Sequence, residues 1–213
     1  MIVVIGEVTA SGSAQEARPE GLAAAVAHGA TAEGGQVELV SRIGDDPVGD
    51  ALLLAIAGEG IGHVATLRDA ARGTPLVPAA DEPVDLAAGE AEDTAPDPGP
   101  GGPELDGADV ALALSYLQEY GVIVVAHPSP SVLAEAGRAA AWASAHLVVL
   151  ARPTDETDAN DGAGTLPADA LVLVADGSAT GVATTVGRYA AAVDAGTMPA
   201  DAFAAAFDGL DAI

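Results

Sequence analysis

The chain has no cysteine, which removes disulfide frameworks, thiolate nucleophiles and thiolate metal sites together. It also has no lysine: its seven basic residues are all arginine, set against 32 acidic ones. A phosphate-loop lysine is therefore absent, and so thin a supply of cations excludes nucleic-acid binding, which needs Lys and Arg clustered against phosphates. Aromatic residues make up only 3% of the chain although half of it is apolar, so Ala, Val, Leu and Ile must build the core. No apolar run approaches the roughly 20 residues of a membrane span. The opening Met1-Ile-Val-Val-Ile-Gly6 lacks the basic region of a secretion signal and runs straight into a strand pattern. A cytoplasmic protein with no membrane and no nucleic-acid partner is the expectation.

Metal chemistry is equally poorly supplied. The four histidines, His28, His63, His127 and His146, are scattered without the paired spacing of ligands. Asp155–Asp161 is acid-rich but does not follow the spacing of a calcium loop. No G-x-S-x-G nucleophile elbow is present. The expectation is no metal site, with His127 an ordinary strand-end residue and Trp142 a core residue.

What is abundant is acid. The formal charge is −25 over 213 residues. The carboxylates are spread along the chain and interleaved with apolar periodicity, not gathered in a tail. That pattern reads as the surface of a protein from a high-salt cytoplasm, where self-repulsion is screened within a few ångströms. The length fits one domain, residues 1–213, able to bury about 70% of its extended surface.

Apolar periodicity alternates between strand and helix. Ile2–Ile5 is a predicted central strand, and Gly21–Ala32 an alanine-rich helix feeding a strand from Val37. Asp46 is a natural N-cap with Pro47 at the first helical position. Val48, Ala51, Leu52, Ala55 and Ile56 then recur at helical spacing up to a cap at Gly58. Short β-prone pieces follow at Val64–Leu67 and Thr74–Val77. Residues 87–107 hold Asp, Glu, Pro and Gly with little apolar material, and Asp97-Pro-Gly-Pro-Gly-Gly-Pro103 cannot be regular structure, so a long surface loop is predicted. Ala108–Tyr120 is a helix, Val122–Ala126 a buried strand, Ser131–Ala145 a helix and Leu147–Leu150 another buried strand. An acidic loop at 154–165 precedes strand Leu171–Ala175. A hairpin is predicted through Val182–Thr185 and Tyr189–Val193 with Gly187 at its turn. A last helix from Pro199 is expected to bury Phe203, Ala206, Phe207 and Leu210. Such alternation implies a mostly parallel central sheet with helices on both faces, an α/β fold.

The stretch Gly34-Gly-Gln-Val-Glu-Leu-Val-Ser-Arg-Ile-Gly-Asp-Asp-Pro-Val-Gly-Asp50 resembles the first signature of the PfkB/ribokinase family of carbohydrate and nucleoside kinases: a GG-x-V strand, then G-D-D-x-x-G opening a helix. Val193-Asp-Ala-Gly-Thr-Met-Pro-Ala-Asp-Ala-Phe203 resembles its second, D-T-x-G-A-G-D-x-F. The resemblance implies a ribokinase-like fold and transfer of phosphate from ATP, with Mg, to a hydroxyl of a sugar or nucleoside. It puts Asp201 in the place of the catalytic base. Met198, Pro199 and Ala200 then stand where glycine amides wrap the transferring phosphate, with Arg152 or Arg188 as further phosphate contacts.

Departures from the pattern are as informative. Proline has no N–H to donate, and side chains fill space that glycine leaves open. The first-strand substrate Asp falls on Ser11 and the substrate Asn on Ala25, with Gly34 and Gly35 the glycine pair. The N-x-x-E phosphate and magnesium motif falls on Thr154 and Thr157, with Asp155 or Glu156 as shifted substitutes. Asp161-Gly-Ala-Gly-Thr165 contains Gly-Ala-Gly but leads to a strand and reads as loop. Twelve residues follow Asp201, where the family continues through more helices, so the resemblance is to a shortened, divergent member. One lost anion-hole donor costs about 10²–10³-fold in rate. Two readings follow. One is a non-catalytic relative kept as a ligand-binding or homodimerising module, with no cofactor. The other is a divergent active kinase using ATP, Mg and Asp201.

Overall fold

The computed structural model describes residues 1–77, 102–117, 119–153, 166–175 and 179–208. Positions 87–101 of the first acidic loop, all of 154–165 and Leu210 lie outside the described residues.

Six strands form one sheet in the order β5-β4-β1-β7-β8-β9, every neighbouring pair parallel. They are β1 (Ile2–Ile5), β4 (Val37–Gly44), β5 (Thr66–Asp69), β7 (Val122–Ala126), β8 (His146–Ala151) and β9 (Leu171–Val174). A parallel sheet needs both faces covered, which is why β1 and β7 read as unbroken apolar runs. Their side chains alternate between two cores. Ile2, Val4, Val122 and Val124 face the layer that contains α1 (Leu22–Ala32), α2 (Pro47–Gly58), α5 (Thr180–Asp194) and α6 (Pro199–Phe207). Val3, Ile5, Ile123 and Val125 face α3 (Gly107–Tyr116) and α4 (Pro130–Ala143). The expected α/β architecture, with β7 and β8 as interior strands, is what the chain forms.

Helix starts follow their local signals. Asp46 accepts from the Gly49 amide at 2.7 Å and from the Thr74 amide at 2.6 Å, so the predicted N-cap also ties down the chain before β6 (Leu76–Val77). Asp106 and Asp109 form a reciprocal capping box at α3.

Several expectations are corrected. The hairpin around Gly187 is instead the helix α5. Its β-branched residues suggested strands, but Ala183, Val186, Gly187, Ala190 and Ala191 are buried at helical spacing. Gly187 is not a turn: it lies against the backbone of α1 at Val26 and Ala30, while Gly29 lies against Thr184. Two glycines thus let two helices touch backbone to backbone. Of a small second sheet, β3-β2-β6, only β6 was read in the sequence, within the β-prone piece Thr74–Val77; β2 (Thr9–Gly12), which pairs antiparallel with β3 (Ala17–Glu20), was not. Trp142 is not core: it is 87% exposed, on the outer face of α4. Phe203 is partly exposed and Ala202 is the residue that α6 buries. Pro103 is buried although a surface loop was expected there; neighbouring Gly102 lies against Pro75 and its carbonyl accepts from Arg72.

Candidate functional site

The chain runs from β1 outward through β4 to β5, then returns to β7 on the other side of β1 and continues to β8 and β9. The sheet order therefore reverses between β1 and β7. Loops leaving those two strands diverge to opposite faces and leave a crevice at their carboxyl ends, the usual ligand position in open α/β sheets.

A cleft of about 710 Å³ lies there, lined among the described residues by the loops after β1, β5, β7 and β8, by Arg42 of β4, by Glu104–Asp106 leading into α3 and by the start of α4. Gly6 makes the narrow floor: a side chain there would press on Ala23 and Ala126. His127, immediately after β7, has a φ of 48°, a left-handed backbone that non-glycine residues seldom adopt. Its Nε2 is 2.8 Å from the Ala175 carbonyl, so in the neutral ring that nitrogen carries the proton and donates.

Three arginines line the cleft, Arg42, Arg72 and Arg152. Arg42 is pinned between two carboxylates, its Nη1 at 2.8 Å from Asp109 and its Nε at 3.3 Å from Asp69. Asp109 also accepts from the Asp106 amide, so the capping box of α3 and the cleft share one carboxylate. The Ala71 amide is the main reason that Asp69 titrates below the ordinary carboxylate range; burial opposes it, and Arg42 and the Arg72 amide add to it. Arg72 is held more loosely, its Nη1 at 3.2 Å from the Gly102 carbonyl and 3.7 Å from Glu104. A second cavity of about 350 Å³ adjoins, with Glu7, Arg42, Glu104 and Arg152 lining both.

Of the described residues expected to contact a ligand, only Arg152 lines this cleft; His127, expected to be an ordinary strand-end residue, lines it too. Ser11 lies in the small sheet and donates to Glu20 at 3.0 Å. Ala25 lines a separate depression with Gly21, Thr180 and Thr184, between the starts of α1 and α5. Gly34 and Gly35 lie before β4, at the amino edge of the sheet, where Gly35 rests on Ile2 and Ala191. Arg188 pairs with Glu33 at 3.5 Å on the helical layer. Thr154, Thr157, Asp155, Glu156 and the Gly-Ala-Gly of 161–165 lie outside the described residues.

Asp201 is at the wrong edge for this cleft. Helix α5 ends at Asp194, whose carboxylate takes the Met1 amino group at 2.8 Å, just before β1 begins. Helix α6 starts from there and packs back along α5, with Phe203 and Phe207 edge-on to Tyr189. Met198, Pro199, Ala200 and Asp201 therefore sit at the amino edge. Asp201 is exposed beside Phe203 and Ala204, in a depression that shares no residue with the cleft.

Unlike α6, α5 starts at the carboxyl edge, as α2 and α4 do. Laying D-T-x-G-A-G-D-x-F on Asp176-Gly-Ser-Ala-Thr-Gly-Val-Ala-Thr184 matches the leading Asp and the last Gly, and puts Val182 in the base position. Among the described residues no side chain caps α5, and open space surrounds the Cβ position of Gly181. That helix end suits an anion, but valine can take no proton. No cluster of three or more carboxylates and histidines fit to hold a metal ion occurs among the described residues. No described helix is long and apolar enough to cross a membrane.

No protein-family model matches the chain, and no curated protein matches it. Solved structures do. A candidate phosphofructokinase from Staphylococcus aureus is 14% identical, with 97% of this chain and 89% of that one covered and a TM-score of 0.58. A fructokinase from Xylella fastidiosa is 16% identical, with 98% and 69% covered and a TM-score of 0.50. An uncharacterized sugar kinase from Pyrococcus horikoshii is 18% identical with a TM-score of 0.48; the match covers 70% of this chain and 51% of that one, so the chain spans about half its length. At these identities the likeness establishes the fold, which is ribokinase-like.

Proposed function

We propose that this chain binds a small polyol such as a sugar or nucleoside in the crevice between β1 and β7, and does not transfer phosphate. The observation that carries the reading is the separation of parts. The cleft at the carboxyl edge is polar and built from several strand ends, loops and helix starts. The one acidic residue that matched a catalytic base, Asp201, stands at the amino edge, and α5 offers Val182 in its place. A missing general base removes about 10²–10⁴-fold, and each missing phosphate donor removes more.

The test is ATP turnover with magnesium against a panel of sugars and nucleosides in molar KCl, beside calorimetric binding of the same panel. The proposal expects binding without turnover. Turnover well above background overturns it.

A second reading, a divergent kinase using ATP and Mg, draws on the uncapped start of α5, whose amides suit a phosphate. It requires that turnover exist and, with Asp201 as base, that Asp201→Ala lower it by about 10²-fold or more.

A further inference from the structure

We infer that the outer face of α3 and α4 docks a second copy of this chain, closing a two-fold dimer around Leu112, Tyr116 and Trp142. The dimer goes beyond ligand binding and is independent of what the cleft holds.

The two helices lie side by side. Gly107, at the start of α3, lies against Ser131, at the start of α4, and both helices then run from the carboxyl to the amino edge of the sheet. They present one outer face. No exposed position of either helix holds a carboxylate, on a chain that has 32. The two acidic residues within them are mostly covered and paired with arginine, Asp109 with Arg42 and Glu135 with Arg138. On the opposite layer, α2 and α6 expose Asp50 and Asp201.

What the face does carry is apolar. Leu112, Tyr116 and Trp142 are all exposed on it, and Trp142 is the only tryptophan of the chain. Tryptophan and tyrosine are the residues that most often dominate the energy of an interface. The same side of the sheet is also open beyond α4. Leu171 and Leu173 of β9 pack into the core on the other side, so Val172 and Val174 point to the α4 side, where both are exposed. A parallel strand is ordinarily covered on both faces.

Charge selects the occupant. Each copy carries −25, so two copies approaching through acidic surface meet repulsion. On this face they meet none, because the one exposed cation, Arg138, is neutralised by Glu135. A cationic partner finds no free carboxylate here to recognise. A patch that suits its own copy closes with two-fold symmetry. Size then sets the strength. Helix α4 has 14 residues, about 21 Å, and two adjacent helices give a face on the order of 400 Å² per copy. With β9 added the pair approaches roughly 1,000 Å² in total, the lower bound of a specific interface, so the dimer is reversible with a Kd on the order of micromolar.

The experiment is sedimentation velocity on the whole chain from about 1 to 200 µM, in low salt and in molar KCl, with the emission of Trp142 recorded on the same samples. It is repeated on Leu112→Glu, on Trp142→Glu and, as a control that adds the same charge to exposed α2, on Leu54→Glu. The expected result is a monomer–dimer equilibrium that KCl strengthens by screening, with the emission moving to shorter wavelength as the dimer forms. Both face variants should weaken association at least about tenfold, the scale of a lost interface anchor, and Leu54→Glu should match the parent. In Leu112→Glu the emission should stay that of exposed tryptophan throughout. A monomer at every concentration in molar KCl overturns the inference. So does a dimer that both face variants leave intact, or one that Leu54→Glu weakens equally. Emission already at short wavelength in the dilute monomer overturns it too, since the chain then covers its own Trp142. Thermal melts of each variant, expected to match the parent, separate a lost contact from a lost fold.

Discussion

The two edges of the central sheet are built for different work. At the amino edge, groups are closed on one another. The Met1 amino group is neutralised by Asp194, the His146 Nε2 lies 2.7 Å from the Tyr189 hydroxyl in the interior, and Phe203 and Phe207 stack beside it. At the carboxyl edge the strands release their loops. There a histidine takes a left-handed backbone, Arg72 meets Glu104 only at 3.7 Å, and a cleft stays open. A polar group closed on a partner stabilises the fold, whereas one left with spare hydrogen-bonding capacity can serve a ligand. The contrast also places Asp201: whatever its neighbours in sequence suggest, it belongs to the closed edge.

The largest effect expected from any substitution falls on the helix that joins the edges. Gly187→Leu would drive a side chain into the α1 backbone at Val26, where no flexible neighbour can give way. We expect a loss of at least about 3 kcal/mol, at the upper end of overpacking, read as a fall in melting temperature of about 6–12 °C or more. Both edges should fail together. Binding that survives unchanged would show that the cleft does not depend on α5.

Salt should act on the surface outside the cleft. Melting temperature should rise substantially from low salt to molar KCl, because screening relieves repulsion among the carboxylates. A melting curve indifferent to salt would remove the high-salt reading of the charge.

A smaller effect sharpens the division between edges. Tyr189→Phe strands the buried His146 nitrogen and should cost about 1–3 kcal/mol, with ligand affinity in the cleft unchanged. His146 also gives the amino edge a pH response. Burial pushes its titration below the ordinary histidine range, partly offset by Asp169. The proton is then held more tightly in the unfolded chain, so its contribution is complete above about pH 6.5. As pH falls below that value and on through the lower folded titration point, stability is lost. Melts of the parent and His146→Gln between pH 5 and 8 check this; equal slopes would exclude His146 as the cause.

The smallest effect is expected at Asp201. Asp201→Ala loses a carboxylate in the first turn of α6, worth less than about 1 kcal/mol, and should leave ligand binding untouched. A large loss of affinity would return Asp201 to the site and break the contrast.

Much of the fold was legible because it rests on local periodicity. The runs Ile2–Ile5 and Val122–Ala126 could only be buried strands, and Asp46-Pro47 announced a helix start that the structure keeps. The site was hardly legible. Of the candidates for ligand contact among the described residues, only Arg152 reached the cleft; Arg42 lies within β4, while Arg72 and His127 come from the loops after β5 and β7, with no sequence spacing to link them. One usable signal existed: the rarity of cations makes each arginine worth placing.

Sequence by itself determined the alternation of strand and helix and the aliphatic core, since each follows from residue type and from periods of two or 3.6. Tertiary structure alone decided that Val182 to Val193 is helix and not hairpin, because Gly187 and Gly29 are informative only where two backbones meet. It also decided which helix start faces the cleft. Edge of the sheet is a property of strand direction and order, and no stretch of residues carries that information until the strands have paired.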